Sequence, residues 1–211
     1  MMHVKIAATA RTSVWIAVLP LLVLLNGCTL GPPARDTVIS YDLGPQVVLA
    51  AAATVSRVTL MVPEATAPAW LDSTGIVYRL VYVDTARPQV YAQSRWVDSP
   101  SALLTQRMRS RFAVVGPIVN GRDGARADYA LQVEIEDFSQ IFDAADSSKV
   151  SIRLRVSLVN LTSRALHAQR SFSVSESSSP DAKGAVRSLA HATDGILEQI
   201  LEWAKSNLKA G

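Results

Sequence analysis

The chain has 211 residues, with 21 Lys or Arg against 18 Asp or Glu, and one cysteine. A net charge of +3 gives no electrostatic case for nucleic acid. A single cysteine excludes an internal disulfide and a thiolate metal cage, so stability must come from the core.

The chain opens with a sparse positive flank, Lys5 and Arg11, and then an uncharged apolar run of 12 residues, Val14 to Leu25. That run is shorter than the roughly 20 residues a helix needs to cross a bilayer. Positive flank, short apolar centre and a small residue before the cut predict a secretory signal peptide over residues 1–27. Leu25-Asn26-Gly27-Cys28 resembles the lipobox of bacterial lipoproteins, although Asn26 replaces the usual small or β-branched residue. The resemblance implies cleavage before Cys28, a thioether-linked diacylglycerol on its sulfur, and acylation, palmitate among the chains, of its new amine. No other cofactor is expected. Thr29, rather than Asp, follows the cysteine, which resembles lipoproteins released to the outer membrane. The mature chain then has 19 basic and 18 acidic residues.

Residues 28–54 read as a lipidated tether, Gly- and Pro-rich around Gly31-Pro32-Pro33, with a short strand near 38–43. Val47 to Val55 is Ala-rich and ambiguous between strand and helix. Residues 55–211 read as one periplasmic domain. Within it, Val58 to Val62 predicts a strand stopped by Pro63, and Ala67 to Asp72 a loop with one helical turn. Ile76 to Val83 predicts a strand, Arg87-Pro88 a turn, and Gln89 to Trp96 the returning hairpin partner. Ser99-Pro100 is an N-cap followed by proline at the first helical position. Leu103, Leu104, Met108 and Phe112 share one face of the helix it opens. Gly116 to Ala127 reads as a loop.

Next, Tyr129, Leu131, Val133 and Ile135 alternate with Ala130, Gln132, Glu134 and Glu136. After a polar loop from Asp143 to Ser148, Val150 to Leu158 alternates with Ser151, Arg153, Arg155 and Ser157. One antiparallel register sets Glu134 against Arg155, Glu136 against Arg153 and Val133 against Val156. A third strand spans Leu166 to Val174, with Arg170 on the side of Phe172 and Val174, which suits an edge position or a site. Ser177 to Pro180 reads as the start of a last helix. Val186, Leu189, Thr193, Ile196, Leu197, Ile200, Leu201, Ala204 and Leu208 recur there at three- and four-residue steps. The fold class is α/β (α+β): a mixed, largely antiparallel sheet with two main helices packed on one face.

Candidates for chemistry are few. His167 and His191 have no further ligands at metal spacing. Glu134 and Glu136 find a simpler role as ion pairs than as a glycosidase pair. No phosphate loop and no nucleophile elbow occurs, so the chain reads as non-catalytic. What remains is surface chemistry at Tyr91, Arg95, Trp96 and Arg107. Strict alternation puts Tyr91, Gln93 and Arg95 opposite Val90, Ala92 and Trp96, and Arg107 on the following helix can reach the edge that Arg95 faces. Two readings stay open: core cover with a solvated basic face, or an edge that binds a partner.

The order of these pieces carries a resemblance. Lipobox, Tyr41-Asp42-Leu43, Trp70-Leu71-Asp72, Ile76-Val77-Tyr78-Arg79, Arg95-Trp96 and the Pro100-started helix Leu103 to Met108 resemble the ABC-type transport auxiliary lipoproteins, the family of the paraquat-inducible intermembrane transport lipoprotein. That implies a fold similar to the N-terminal domain of the Tol-system translocation protein. It implies a lipid-anchored accessory on the periplasmic face of the outer membrane. The implied partners are an MCE-domain (mammalian cell entry) protein and the ABC permease and ATPase of one system, which moves lipids or other apolar molecules between the two membranes. A homo-oligomer is compatible with it. The competing expectation is a lipoprotein of an outer-membrane assembly or secretion machine.

Overall fold

The computed structural model describes residues 37–45, 58–114, 116–121 and 123–208. The lipobox, the signal segment and Val47 to Val55 lie outside the described residues. No helix among the described residues is long and apolar enough to cross a membrane.

Three long strands form the frame: β6 (Tyr129–Ala144), β7 (Ser147–Asn160) and β8 (Ala165–Ser178), paired antiparallel in sequence order. The expected register holds at Glu134↔Arg155 and Val133↔Val156. It breaks one step later. A β-bulge between Ile135 and Asp137 sets Asp137, not Glu136, against Arg153. Glu136 is the extra residue, and Arg155 serves both acids, Nη1 to Glu134 Oε2 at 3.2 Å and Nη2 to Glu136 Oε1 at 2.5 Å. The bulge also moves the buried parity, because two residues now oppose one. Ile135 is followed in the apolar core by Phe138, while Asp137 and Ser139 are buried as a polar pair, Ser139 Oγ donating to Asp137 Oδ1 at 2.8 Å. The polar loop expected over 143–148 shrinks to a tight turn, with Ala144 already paired to Ser147.

The other edge of β6 is shared. Near its start it takes β2 (Leu60–Met61) in parallel, and β2 carries β5 (Ile118–Val119), a two-residue strand inside the expected loop. Near its end it takes β3 (Gly75–Leu80) in parallel, with Tyr78 opposite Gln140. β3 pairs antiparallel with β4 (Pro88–Trp96), and β4 pairs parallel with β1 (Ile39–Tyr41). The short strand assigned to the tether therefore belongs to the sheet, in a compact unit that begins at Thr37. β2 and β3 are shorter than their apolar runs, since Val62 leaves the ladder and residues 81–83 turn.

Two helices lie against this sheet. In α1 (Pro100–Phe112), Ser99 Oγ caps by accepting the Ala102 N–H at 3.4 Å. Leu104, Met108 and Phe112 are fully buried, as their spacing predicts. The last helix, α2 (Ala182–Leu208), starts later than expected, because β8 runs on through Ser178. Its cap is Asp181, whose Oδ1 accepts the Gly184 N–H at 2.6 Å. Leu189, Ile196, Leu197, Ile200 and Leu201 face Ile152, Leu154, Val156 and Leu158 in one core cluster. Each such side chain contributes about 1.5–3 kcal/mol on burial.

Candidate functional site

The four surface candidates part company in the structure. Trp96 ends β4 and is 1% exposed, with its ring edge-on to Phe138 at 5.9 Å. It is a core residue. Arg107 is also buried, because its position on α1 faces α2 rather than the sheet edge. Its guanidinium grips Asp194 of α2 in a bidentate pair, Nε to Oδ1 at 2.8 Å and Nη2 to Oδ2 at 2.7 Å. It also donates to the carbonyls of Gly44 at 3.0 Å and Pro45 at 3.3 Å. Arg111 adds a second cation to Asp194 at 3.6 Å and meets Glu198 at 3.7 Å. Arg107 therefore locks the chain after β1 to both helices, and it shares no edge with Arg95. A planar fork holding a carboxylate and two carbonyls is a role that lysine does not replace.

Tyr91 departs from the expected alternation. A register shift between β3 and β4, from Gly75↔Arg95 to Val77↔Val90, changes which residues of β4 turn inward. Tyr91 thus packs against the core, as Trp96 does, while Val90 is 55% exposed. The Tyr91 hydroxyl donates to Gln140 Oε1 at 2.6 Å, and its ring lies 4.7 Å from that of Tyr78. Burial first, then the charges of Asp181 and Tyr78, push the phenol up to about 12, so it stays neutral. Gln140 is fully buried, with Nε2 within 3.0 Å of Ser148 Oγ, Ser178 Oγ and the Ser179 carbonyl. This network fastens β4, β6, β7 and the end of β8. Sequence reading missed Gln140; its place between Phe138 and Phe142 was the available signal.

Only Arg95 remains a surface charge. Its Nε donates to Ser40 Oγ at 3.3 Å across the β1–β4 pair. Around it stand exposed apolar side chains: Ile39 at 52%, Val97 at 57% and Val38. Beside this edge opens a groove of about 580 Å³, floored by Tyr41, Val97, Val186 and Ala190 and walled by Arg187 and His191. His191 is held by Glu176, Nδ1 to Oε2 at 2.8 Å, and that hydrogen bond raises its pKa. A second, polar groove of about 390 Å³ crosses the outer side of β6–β8, past Glu64, Gln132, Glu134, Arg155 and Gln169. His167 meets Tyr129 edge-on at 5.2 Å, and its Nε2 lies 3.2 Å from the Asn207 carbonyl. Among the described residues, no group of three or more His, Cys, Asp or Glu is placed to hold a metal ion. The surface is thus an amphipathic edge, apolar residues around one arginine, suited to binding a protein or lipid surface.

A family model for the ABC-type transport auxiliary lipoprotein component matches residues 41–201. No curated protein matches the chain. Among solved structures, the fold is similar to protein XCC0632 from Xanthomonas campestris, of family-model DUF330. The TM-score is 0.72 at 18% identity, over 82% of this chain and 98% of that one. It is also similar to an uncharacterized protein, TM-score 0.63 at 16% identity, over 80% of this chain and 99% of the other. A third likeness is the hypothetical protein CT253 from Chlamydia trachomatis, TM-score 0.52 at 10% identity, over 74% of this chain and all of that one.

Proposed function

We propose, from the premise that this chain belongs to the ABC-type transport auxiliary lipoprotein components, that it is the lipid-anchored accessory of an MCE-type ABC system. In this reading the system carries lipids or other apolar molecules between the inner and outer membranes, and the accessory sits on the periplasmic face of the outer membrane. The match over residues 41–201 carries the reading, since it takes in β2 to β8, α1 and most of α2. The role is binding and tethering rather than chemistry, which is what an auxiliary component of a transporter implies.

Cys28 supplies the anchor. A diacylglyceryl group and an amide-linked chain contribute about 0.8 kcal/mol per buried methylene, which makes attachment stable where a single chain would not. The transporter-facing surface is the β1–β4 edge. Among the described residues, the exposed large apolar side chains other than Leu166 lie in the part of the chain before α1, among them Val38, Ile39, Val90 and Val97. Arg95 stands among them to set orientation and on-rate.

The test is the full chain carrying Cys28→Ala in a strain deleted for the protein. The expected result is loss of processing, loss of outer-membrane fractionation and failure to restore transport. A variant that still fractionates as a mature outer-membrane protein and restores transport would overturn the proposal.

A further inference from the structure

Three strands end the sheet, and they are unlike. β1 offers three residues and β5 two, whereas β8 offers fourteen, and among the described residues it pairs with β7 alone. Sheet edges are ordinarily blunted by lysine, proline, bulges or shortness. From Gln169 to Ser177, β8 has no lysine and no proline, and its register to β7 is unbroken. Arg170 and Glu176 are its only charged residues there, and they stand three positions either side of Ser173.

We propose that β8 pairs antiparallel with β8 of a second copy about a two-fold axis at Ser173. The register follows from the symmetry. Ser173 meets its own equivalent, Ser171 meets Ser175, Phe172 meets Val174, and Arg170 of each copy meets Glu176 of the other. Every pairing joins residues of the same parity, so each falls on one face of the continued sheet. A shift of the axis by one residue loses both ion pairs and sets unlike groups together. The backbone agrees. The Leu161 N–H donates to the Asp128 carbonyl at 2.9 Å, so odd residues of β7 bond β6, and its even residues bond the even residues of β8 from Arg170 to Glu176. By alternation, the odd-numbered residues from Gln169 to Ser177 aim their N–H and C=O groups at the free edge. These are the residues that the two-fold places opposite one another.

Side chains are ready for the exchange. Arg170 is exposed, and its guanidinium lies over the Phe172 ring at 5.0 Å, so it needs only to swing outward. Glu176 already holds His191 at 2.8 Å and keeps a second carboxylate oxygen for the partner's arginine. A two-fold normal to the sheet also keeps both copies of α2 on one side. Gly195 stands one turn after His191, which Glu176 of β8 holds, and an added Cβ there would meet nothing within 4 Å. The interface is isologous, which closes at a dimer. It leaves the β1–β4 edge free, and it does not depend on the transport reading.

Cysteine scanning tests it in the full chain, within the oxidising cell envelope. Directly opposed residues of a hydrogen-bonded antiparallel pair have Cα atoms about 5.5 Å apart, within disulfide range. Ser173→Cys should give a disulfide-linked homodimer on a non-reducing gel, whereas Ser171→Cys, offset by four residues from its own equivalent, should not. Arg170→Glu should disperse the detergent-solubilised full chain to monomers, and Arg170→Glu with Glu176→Arg should restore the dimer. No homodimer at Ser173→Cys, equal homodimer at both positions, or a cross-link only to a different protein would each overturn the proposal.

Discussion

The two halves of the sheet are built on different terms. In the half made by β6, β7, β8 and α2, strands of fourteen to sixteen residues pair along their whole length, and the inward side chains of β7 from Val150 to Leu158 are fully buried. In the half made by β1 to β5, four strands have six residues or fewer, several contacts are parallel, and large apolar residues such as Ile39 and Val90 are exposed beside buried ones such as Ile76 and Trp96. The first half has a core in which every element depends on the next. The second joins it along the short parallel β2–β6 and β3–β6 ladders, reinforced by the Arg107–Asp194 clasp, the Tyr91–Gln140 hydrogen bond and the Trp96–Phe138 contact. Both halves feed one core, but the long paired strands lie on one side and the exposed apolar edge on the other.

Substitutions of matched kind separate the two. Ile196→Asp buries an unpaired charge beneath α2 and should cost about 4 kcal/mol or more. Ile39→Asp, on the exposed edge, should cost less than about 0.5 kcal/mol. Chemical denaturation of the chain lacking residues 1–27 reads both, and equal losses would abolish the contrast. Next in size are the fastenings. Arg107→Ala leaves Asp194 with only the longer Arg111 contact and frees the Gly44 and Pro45 carbonyls, so about 3 kcal/mol should go in the same measurement. An exposed, solvated arginine would give almost nothing there. The α2 cap comes third: Asp181→Ala should remove about 1 kcal/mol.

The smallest effect concerns His191 and is one of pH. Its hydrogen bond to Glu176 raises its pKa in the fold, so the pair stabilises most below the ordinary histidine value. That contribution fades as pH rises through the raised folded value. A proton NMR titration should show His191 titrating above the ordinary range, and Glu176→Gln should bring it back down.

What the sequence disclosed follows the same division. Strict alternation over Tyr129–Ile135 and Val150–Leu158, and the three- and four-residue spacing in α2, come from long elements with one buried face, and each was legible with its register. Glu136 was misplaced because one bulge residue changes parity with no mark in composition. β5 and the true extent of β2 were invisible, since a two-residue parallel pair has no period to read. The arginines of α1 showed the limit most clearly. Helical spacing only spreads Arg107, Arg109 and Arg111 around the positions that the apolar face leaves over. In the structure Arg107 and Arg111 turn to Asp194, and Arg109 Nε reaches the Val62 carbonyl at 2.9 Å. Their partners lie dozens of positions away in sequence. Of the candidate edge, Arg95 alone was placed correctly at the surface, while the groove beside it joins β1 to α2, which no local pattern links.

The most direct test of the account is capture of the full, lipid-anchored chain from its own cell envelope, beside an Arg95→Glu variant. An MCE-domain protein with its ABC permease and ATPase should co-purify with the unaltered chain. Their yield should fall with Arg95→Glu while the melting temperature of the variant stays within about a degree, as exposed charges allow. Recovery of a secretin or porin assembly in their place, or of the same transport proteins at undiminished yield with Arg95→Glu, would contradict it.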